Sequence, residues 1–193
     1  MRVIELEEPK LMIITVLDTE TTGLDVYAKH KIIELCMMFY DGEGNAKGTY
    51  LQRFNPNRSI DQKAQAVHGI SRADLENKPV FGDHAPKISK LLAKADVIVA
   101  HNAEFDLPFI YEEVNAVKAS VEWSAEIFCT MVNGRGATGN GKVPNLGELC
   151  FAYGVDYKPE DAHAADYDVD RTAQCFFKGL QYGDFVLPET NVA

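Results

Sequence analysis

The 193-residue chain has no long hydrophobic run, and nothing in it approaches the roughly 18 consecutive apolar residues of a membrane span. Its N-terminus, MRVIELEEPK, is acidic and holds no apolar stretch, so a secretory leader is not expected. Cysteine is scarce: Cys36, Cys129, Cys150 and Cys175 lie far apart and form no CxxC pair. That argues against a disulfide scaffold and a thiolate metal site, and leads us to expect reduced, mostly buried thiols in a cytoplasmic protein. Positive charge is also short, with 19 Lys and Arg against 29 Asp and Glu, a net charge of -10 and a pI near 4.9. On bulk charge alone, a nucleic-acid partner is disfavoured, because binders usually carry a basic face. No internal repeat or low-complexity run is present. The 46% apolar and 25% charged residues match an ordinary globular chain, long enough for one core.

The scarce positive charge is segregated. Residues 47 to 94 hold nine basic and four acidic side chains, net +5, leaving ten basic and 25 acidic elsewhere, net -15. Two readings fit: solvated faces of helices and loops, or a basic flank beside an acidic, metal-binding site.

Apolar periodicity sets the expected elements. Leu11 to Leu17 reads as a buried strand that ends at Asp18, with Thr-Glu-Thr-Thr-Gly as strand end and turn. Lys31 to Tyr40 is a second strand closed by a hairpin turn at Asp41 to Gly44, and Ala46 to Phe54 alternates as a third. Helices are expected over Asp61 to Val67 with Asp61 as N-cap, from a capping box at Ser71, and over Asp83 to Ala95. Asp96 to Ala100 is a fourth strand, followed by a helix from about Glu104 to Val117. Glu126 to Thr130 reads as a fifth strand. Asn133 to Pro144, rich in glycine, reads as a flexible loop. Asn145 caps a short helix to Tyr153, and a final amphipathic helix runs from about Ala164 to Tyr182. Three strands in a meander followed by alternating strands and helices indicate an α/β domain with a mixed sheet covered by helices.

Three polar clusters interrupt this pattern. Asp18 and Glu20 are two apart near a strand end, so their side chains point to one side. Carboxylates held together repel unless a cation neutralises them, and all-oxygen ligands suit Mg²⁺ or Mn²⁺. An exposed strand end would give the same dipeptide. In Ala100-His-Asn-Ala-Glu-Phe-Asp106 a buried strand runs into polar residues and then a helix, with Asp106 in the first turn, where the helix dipole favours a carboxylate. The third cluster, Asp161 to Asp170, opens the last helix. His163 and Asp168 are separated by about 140° of helix, so His163 is expected just before the helix and Asp168 at the edge of its buried face. An acidic helix start would account for this cluster as well.

Asp18-Thr-Glu-Thr-Thr-Gly-Leu, His101-Asn-Ala-Glu-Phe-Asp106 and His163-x-Ala-x-x-Asp168 resemble, in order and spacing, the three motifs of the DnaQ-like, DEDDh-type 3′-5′ exonucleases. Ala66-Val-His68-Gly-Ile-Ser resembles a further segment of that family. So do Cys129-Thr-Met and the stretch that begins Asn145-Leu-Gly-Glu-Leu-Cys. The match spans roughly residues 11 to 182. It implies an RNase H-like fold, with a single exonuclease domain over 1 to 193. It also implies release of nucleoside 5′-monophosphates from a 3′ end.

Carried over by position, the resemblance makes Asp18, Glu20, Asp106 and Asp168 ligands of two divalent ions, Mg²⁺ or Mn²⁺, and His163 the general base. An imidazole with an unperturbed pKa near ~6.5 suits that task. Family spacing selects Asp168 over Asp166 and Asp170. Thr21 and Leu24 would touch the terminal nucleotide, His68 would line its pocket and Phe105 would pack near the sugar. Core packing is an equal reading for Leu24 and Phe105, and His68 is expected to be exposed. Where bacterial proofreading members often carry Asp-Pro-Glu-Ala, this chain has Asp61-Gln-Lys63-Ala, which brings a cation towards the nucleotide. Arg135 and Lys142 in the glycine-rich loop are placed where they could close over a strand.

The Asp-Thr-Glu-Thr-Thr-Gly form is that of DNA-proofreading members and favours DNA, with an RNA-trimming exonuclease as the alternative. About eleven residues follow the last helix. No convincing clamp-binding motif is present, so a stand-alone enzyme, or a small subunit that meets a DNA polymerase through its folded surface, is expected. No membrane partner is expected.

Overall fold

A computed structural model describes residues 12–119, 123–139 and 141–187. The expected strand at Leu11 begins outside this range, as does Asn140 of the glycine-rich loop. The described residues form a five-stranded sheet in the order β3-β2-β1-β4-β5. β1 (Ile13–Thr21), β2 (Ile32–Asp41) and β3 (Ala46–Arg53) form the antiparallel meander. β4 (Val97–Ala100) and β5 (Glu126–Cys129) add in parallel on the other side of β1. The mixed sheet expected from the sequence is therefore present.

β1 continues to Thr21, three residues beyond the expected strand end at Asp18. Asp18, Thr19 and Glu20 pair in register with Cys36, Leu35 and Glu34 of β2, and the ladder shifts only between Glu20 and Thr21. A complete set of backbone partners outweighs the polar side chains, because an unpaired buried N–H or C=O costs more than a polar residue on a strand.

Strand alternation sends side chains to two separate cores. Leu17, Ile98 and Ala100 face one, closed by α3 (Phe81–Leu92) and α4 (Ala103–Ala116). Ile14, Val16, Val97 and Val99 face the other, closed by α6 (Leu146–Tyr153) and α7 (Ala165–Tyr182). In the second core the Phe128 ring lies 5.0 Å from Phe176 and 5.1 Å from Phe185. A Cβ on Gly179 would lie 2.3 Å from the Phe185 ring, so glycine there lets that ring dock on α7. Cys150 and Cys175 meet in this core as free thiols with sulfurs 3.5 Å apart, and Cys36 is buried nearby.

The connections refine several boundaries. α1 (Gln62–His68) starts at Asp61, but the Asp61 carboxylate makes no cap bond and lies 3.6 Å from His30 Nε2 instead. The capping boxes at Ser71, opening α2 (Arg72–Leu75), and at Asn145, opening α6, both form. The glycine-rich stretch is more ordered than expected: α5 (Thr130–Asn133) runs into a 3₁₀ turn at Gly134–Gly136, and Gly134 is buried against Leu149 and Pro144. Among the described residues no helix is long and apolar enough to cross a membrane.

Candidate active site

The C-terminal ends of the parallel neighbours β1 and β4 lie side by side, where open α/β sheets place their sites. The end of β1 supplies Asp18, Thr19, Glu20 and Thr21. The turn after β4 supplies His101 and Asn102, and α4 then places Asp106 in its first turn. Asn102 adopts φ 86°, the left-handed conformation that an asparagine tolerates, and this turns the chain from strand into helix. α7 packs across β1 and β2 and brings its N-terminus to the same place. There His163, at φ 63°, precedes the helix and Asp168 lies on its buried face beside Val169 and Thr172.

These segments enclose a cleft of about 670 Å³. Asp18, Glu20, Asp106, Asp168 and His163 all line it, as do Thr21, Leu24, His68, Phe105 and Lys63. Every residue expected in the site is brought together. Asp166 and Asp170 do not line it: Asp166 accepts from the Tyr167 N–H, and Asp170 pairs with Arg171. Arg135 is likewise not among the lining residues, and Lys142 is held by Glu148 at the start of α6.

Exposure separates the residues expected at the nucleotide. Leu24 is 82% exposed, so core packing is not its role. Phe105 is half-buried, 5.2 Å from Phe109, and serves both the core edge and the cleft wall. His68 is half-buried rather than exposed, because Nδ1 accepts from the Ile70 N–H at 3.0 Å and turns the ring inward. Burial lowers its pKa, as it does for His101, which is held at about 4 and is neutral at physiological pH.

The carboxylates crowd one another. One donor atom each from Glu20, His163 and Asp168 lie within 4.8 Å of one another. Asp168 Oδ2 accepts from the His163 N–H at 3.0 Å, while Oδ1 is buried without a hydrogen-bond partner. Asp106 is pinned through Oδ1 by Thr19, which donates from its N–H at 3.0 Å and its hydroxyl at 2.6 Å. Burial, reinforced by neighbouring carboxylates, pushes Asp18 well above the usual range and Glu20 to about 9. Burial also raises Asp106 to about 7, against the Thr19 bonds that oppose it, and raises Asp168. Such a cluster is completed by a cation. Hard oxygen donors, an orphaned buried Oδ1 and a cleft open to solvent all fit divalent metal.

The electrostatics give a sign for metal-free stability. Each raised carboxylate binds protons more tightly in the fold than in the unfolded chain, so stability falls as pH rises from about 4 through 7 and towards 9. In EDTA the melting temperature should drop between pH 5 and pH 8.5, and Mg²⁺ should raise it more at pH 8.5. A melting temperature that climbs over that range in EDTA would contradict the cluster.

Two contributors were not visible in the sequence. Glu34 lies buried opposite Glu20 on β2, bound to Arg53 on β3, and its Oε2 accepts from the Ala165 N–H at 3.3 Å. It thus ties the first residue of α7, and with it His163 and Asp168, to β2, at the residue paired with Glu20 of β1. Thr19 does the same for α4 through Asp106. Only pairing across the sheet could reveal either. The basic stretch is partly consumed in this way: Arg53 neutralises Glu34, Lys47 pairs with Asp41 and Lys87 lies over the Tyr50 ring. Of its cations only Lys63 lines the cleft. Arg53→Met should destabilise the fold by about 1–3 kcal/mol, between the cost of an exposed pair and that of a broken buried one, because Glu34 is buried but Arg53 is half-exposed. Urea denaturation checks this, and adding Glu34→Gln should recover most of the loss.

Comparison with known proteins agrees with the geometry. The family described as Exonuclease matches residues 15–176. DNA polymerase III subunit epsilon of Buchnera aphidicola subsp. Baizongia pistaciae is 32% identical over 171 residues, covering 83% of this chain and 68% of that protein. The Escherichia coli K12 subunit is 31% identical over the same span and coverage. Among solved structures, the zinc-bound E. coli exonuclease I–ssDNA complex superposes with a TM-score of 0.76 at 18% identity, covering 90% of this chain and 41% of that one. Exonuclease X in complex with 5′ overhanging duplex DNA superposes with a TM-score of 0.68 at 24% identity, covering 92% and 96%. The chain thus spans about 41% of exonuclease I, and these likenesses establish the RNase H-like exonuclease fold. With the family pattern running from β1 into α7, through all three polar clusters, the chain belongs to the exonuclease family.

Proposed function

We propose that this protein is a metal-dependent 3′-5′ exonuclease that removes nucleoside 5′-monophosphates from single-stranded or frayed DNA ends. The observation that carries the reading is the convergence of Glu20, His163 and Asp168 within 4.8 Å, in a cleft that Asp18 and Asp106 also line. Asp18, Glu20, Asp106 and Asp168 would hold two divalent ions, Mg²⁺ or Mn²⁺, which would supply Lewis acidity for the attacking water and charge stabilisation for the leaving 3′ oxygen.

The remaining work belongs to the side chains. His163 sits exposed at the rim, and its imidazole takes the proton from the attacking water. Thr19 and Glu34 hold α4 and α7 so that carboxylates from three elements face one space. Leu24 projects as an apolar wedge against the terminal base, His68 and Phe105 line the nucleotide pocket beside Thr21, and Lys63 brings a cation to the strand. DNA is the favoured strand because the first motif has the Asp-Thr-Glu-Thr-Thr-Gly form and the most similar sequences reported above are DNA polymerase subunits. The same relatives support a DNA polymerase as partner, testable by co-elution with a bacterial polymerase catalytic subunit.

The deciding experiment compares 5′-labelled single-stranded DNA, duplex DNA and RNA with Mg²⁺, Mn²⁺ or EDTA. Laddering of single-stranded DNA from the 3′ end, lost in EDTA, is the expected result. Equal degradation of RNA would overturn the DNA preference, and activity in EDTA would overturn the mechanism.

A further inference from the structure

The segment between β1 and β2 leaves the cleft with two large side chains in solvent. Leu24, on the cleft wall, is 82% exposed, and Tyr27 is 83% exposed. Two residues of chain separate them, so their Cα atoms lie at most about 11 Å apart. Single exposed apolar residues are common on protein surfaces. Tyr27 differs in how firmly it is presented.

Its backbone N–H donates to Asp25 Oδ1 at 2.8 Å, and the 3₁₀ turn Val26–Ala28 closes through the Lys29 N–H to Val26 O at 3.0 Å. Val26 packs into the core beneath, and the Arg58 guanidinium donates to the carbonyls of Ala28 and Lys29. At the base of the loop the Thr22 N–H donates to Lys31 O, the Lys31 N–H donates to Thr22 Oγ1, and the Asp61 N–H donates to Thr22 O at 2.9 Å. His30 bonds Thr22 and lies flat over Gly23, where a Cβ would sit 2.3 Å from the ring. The loop backbone is therefore braced from both sides, so the tyrosine is presented to solvent with no further ordering of the loop required.

The charges around it are asymmetric. Lys29 and Arg58 flank the turn, and Lys63 stands on the adjoining cleft wall. Two carboxylates lie among them, Asp25 accepting from the Tyr27 N–H and Asp61 3.6 Å from His30 Nε2, so the three cations leave a small positive excess. The cleft beyond is lined by carboxylates that repel a polyanion. An apolar pair with cations beside it, at the mouth of an acidic cleft, matches a strand whose bases stack while its phosphates are screened.

We propose that Tyr27 is a stacking platform for a base upstream of the nucleotide held in the cleft, with Lys29 and Arg58 beside the strand's phosphates. The occupant is single-stranded nucleic acid, so the inference rests on the function proposed above. A stacking contact of this kind is worth about fivefold or more in affinity.

The test compares two substrates in Mn²⁺: a single-stranded oligothymidylate, and the p-nitrophenyl ester of thymidine 5′-monophosphate, which carries no upstream base. Tyr27→Ala should raise KM for the oligonucleotide about fivefold or more and leave both constants for the ester unchanged. Tyr27→Trp should restore the oligonucleotide KM. An oligonucleotide KM unchanged by Tyr27→Ala would overturn the proposal and assign the exposed pair to another partner. An equal rise on the ester would overturn it too, by showing a damaged cleft. Ester turnover by the wild-type protein keeps these outcomes separate from failure of the exonuclease reading, which would show as turnover of neither substrate.

Discussion

Asp18→Asn should abolish removal of nucleotides from a single-stranded oligonucleotide in Mg²⁺, with the initial rate falling by about 10³-fold or more. That corresponds to the several kcal/mol of charge stabilisation that a correctly held cation supplies. Asp18 is the sharpest choice because it lies outside the trio of donors that converge within 4.8 Å, and only its place in the cleft argues for it as a ligand. The fold should survive. Asp18 pairs with Cys36 through backbone bonds that an asparagine keeps. In EDTA at pH 8 the variant should melt higher than the wild type, because desolvation, and then repulsion from Asp106, Glu20, Asp168 and Glu34, penalises the Asp18 carboxylate. A near-wild-type rate from pure variant would remove Asp18 from the site. A lowered melting temperature in EDTA would make its role structural.

His163→Ala should lower turnover by roughly 10²-fold or more, the usual scale for a lost general base. The imidazole also lies within ligand distance of Glu20 and Asp168, so base and ligand must be separated by a second measurement. With the four carboxylates intact, the rise in melting temperature on adding Mg²⁺ should persist in the variant. If instead the Mg²⁺ stabilisation disappears with the activity, His163 is a metal ligand. His163→Asn is the useful companion, since asparagine tolerates the left-handed backbone at φ 63° better than alanine.

Much of the site was legible before the fold. Apolar runs marked the strands that end in acidic or polar residues, and the two-residue spacing of Asp18 and Glu20 put both on one side. The resemblance, by its spacing, selected Asp168 over Asp166 and Asp170, and in the structure Asp168 is 9% exposed and lines the cleft while its two neighbours do not. The strand and spacing readings succeed because they depend on local sequence alone. Bulk charge misled in the opposite direction: net acidity suggested no nucleic-acid partner, whereas the acidity is partly the cleft itself.

What the sequence determined by itself is the identity and order of the acidic groups, the strands and helix starts that carry them, and the family they indicate. The tertiary structure decided how they are held. Glu34 reaches Ala165 across 131 residues, and Thr19 reaches Asp106 across 87, contacts that no periodicity can announce. Exposure belongs to the same class. Leu24, Tyr27 and His68 could not be sorted into wall, rim and interior until the sheet, α1 and the braced loop were in place. Burial is a property of what packs on a residue from elsewhere in the chain, and only the folded arrangement specifies that.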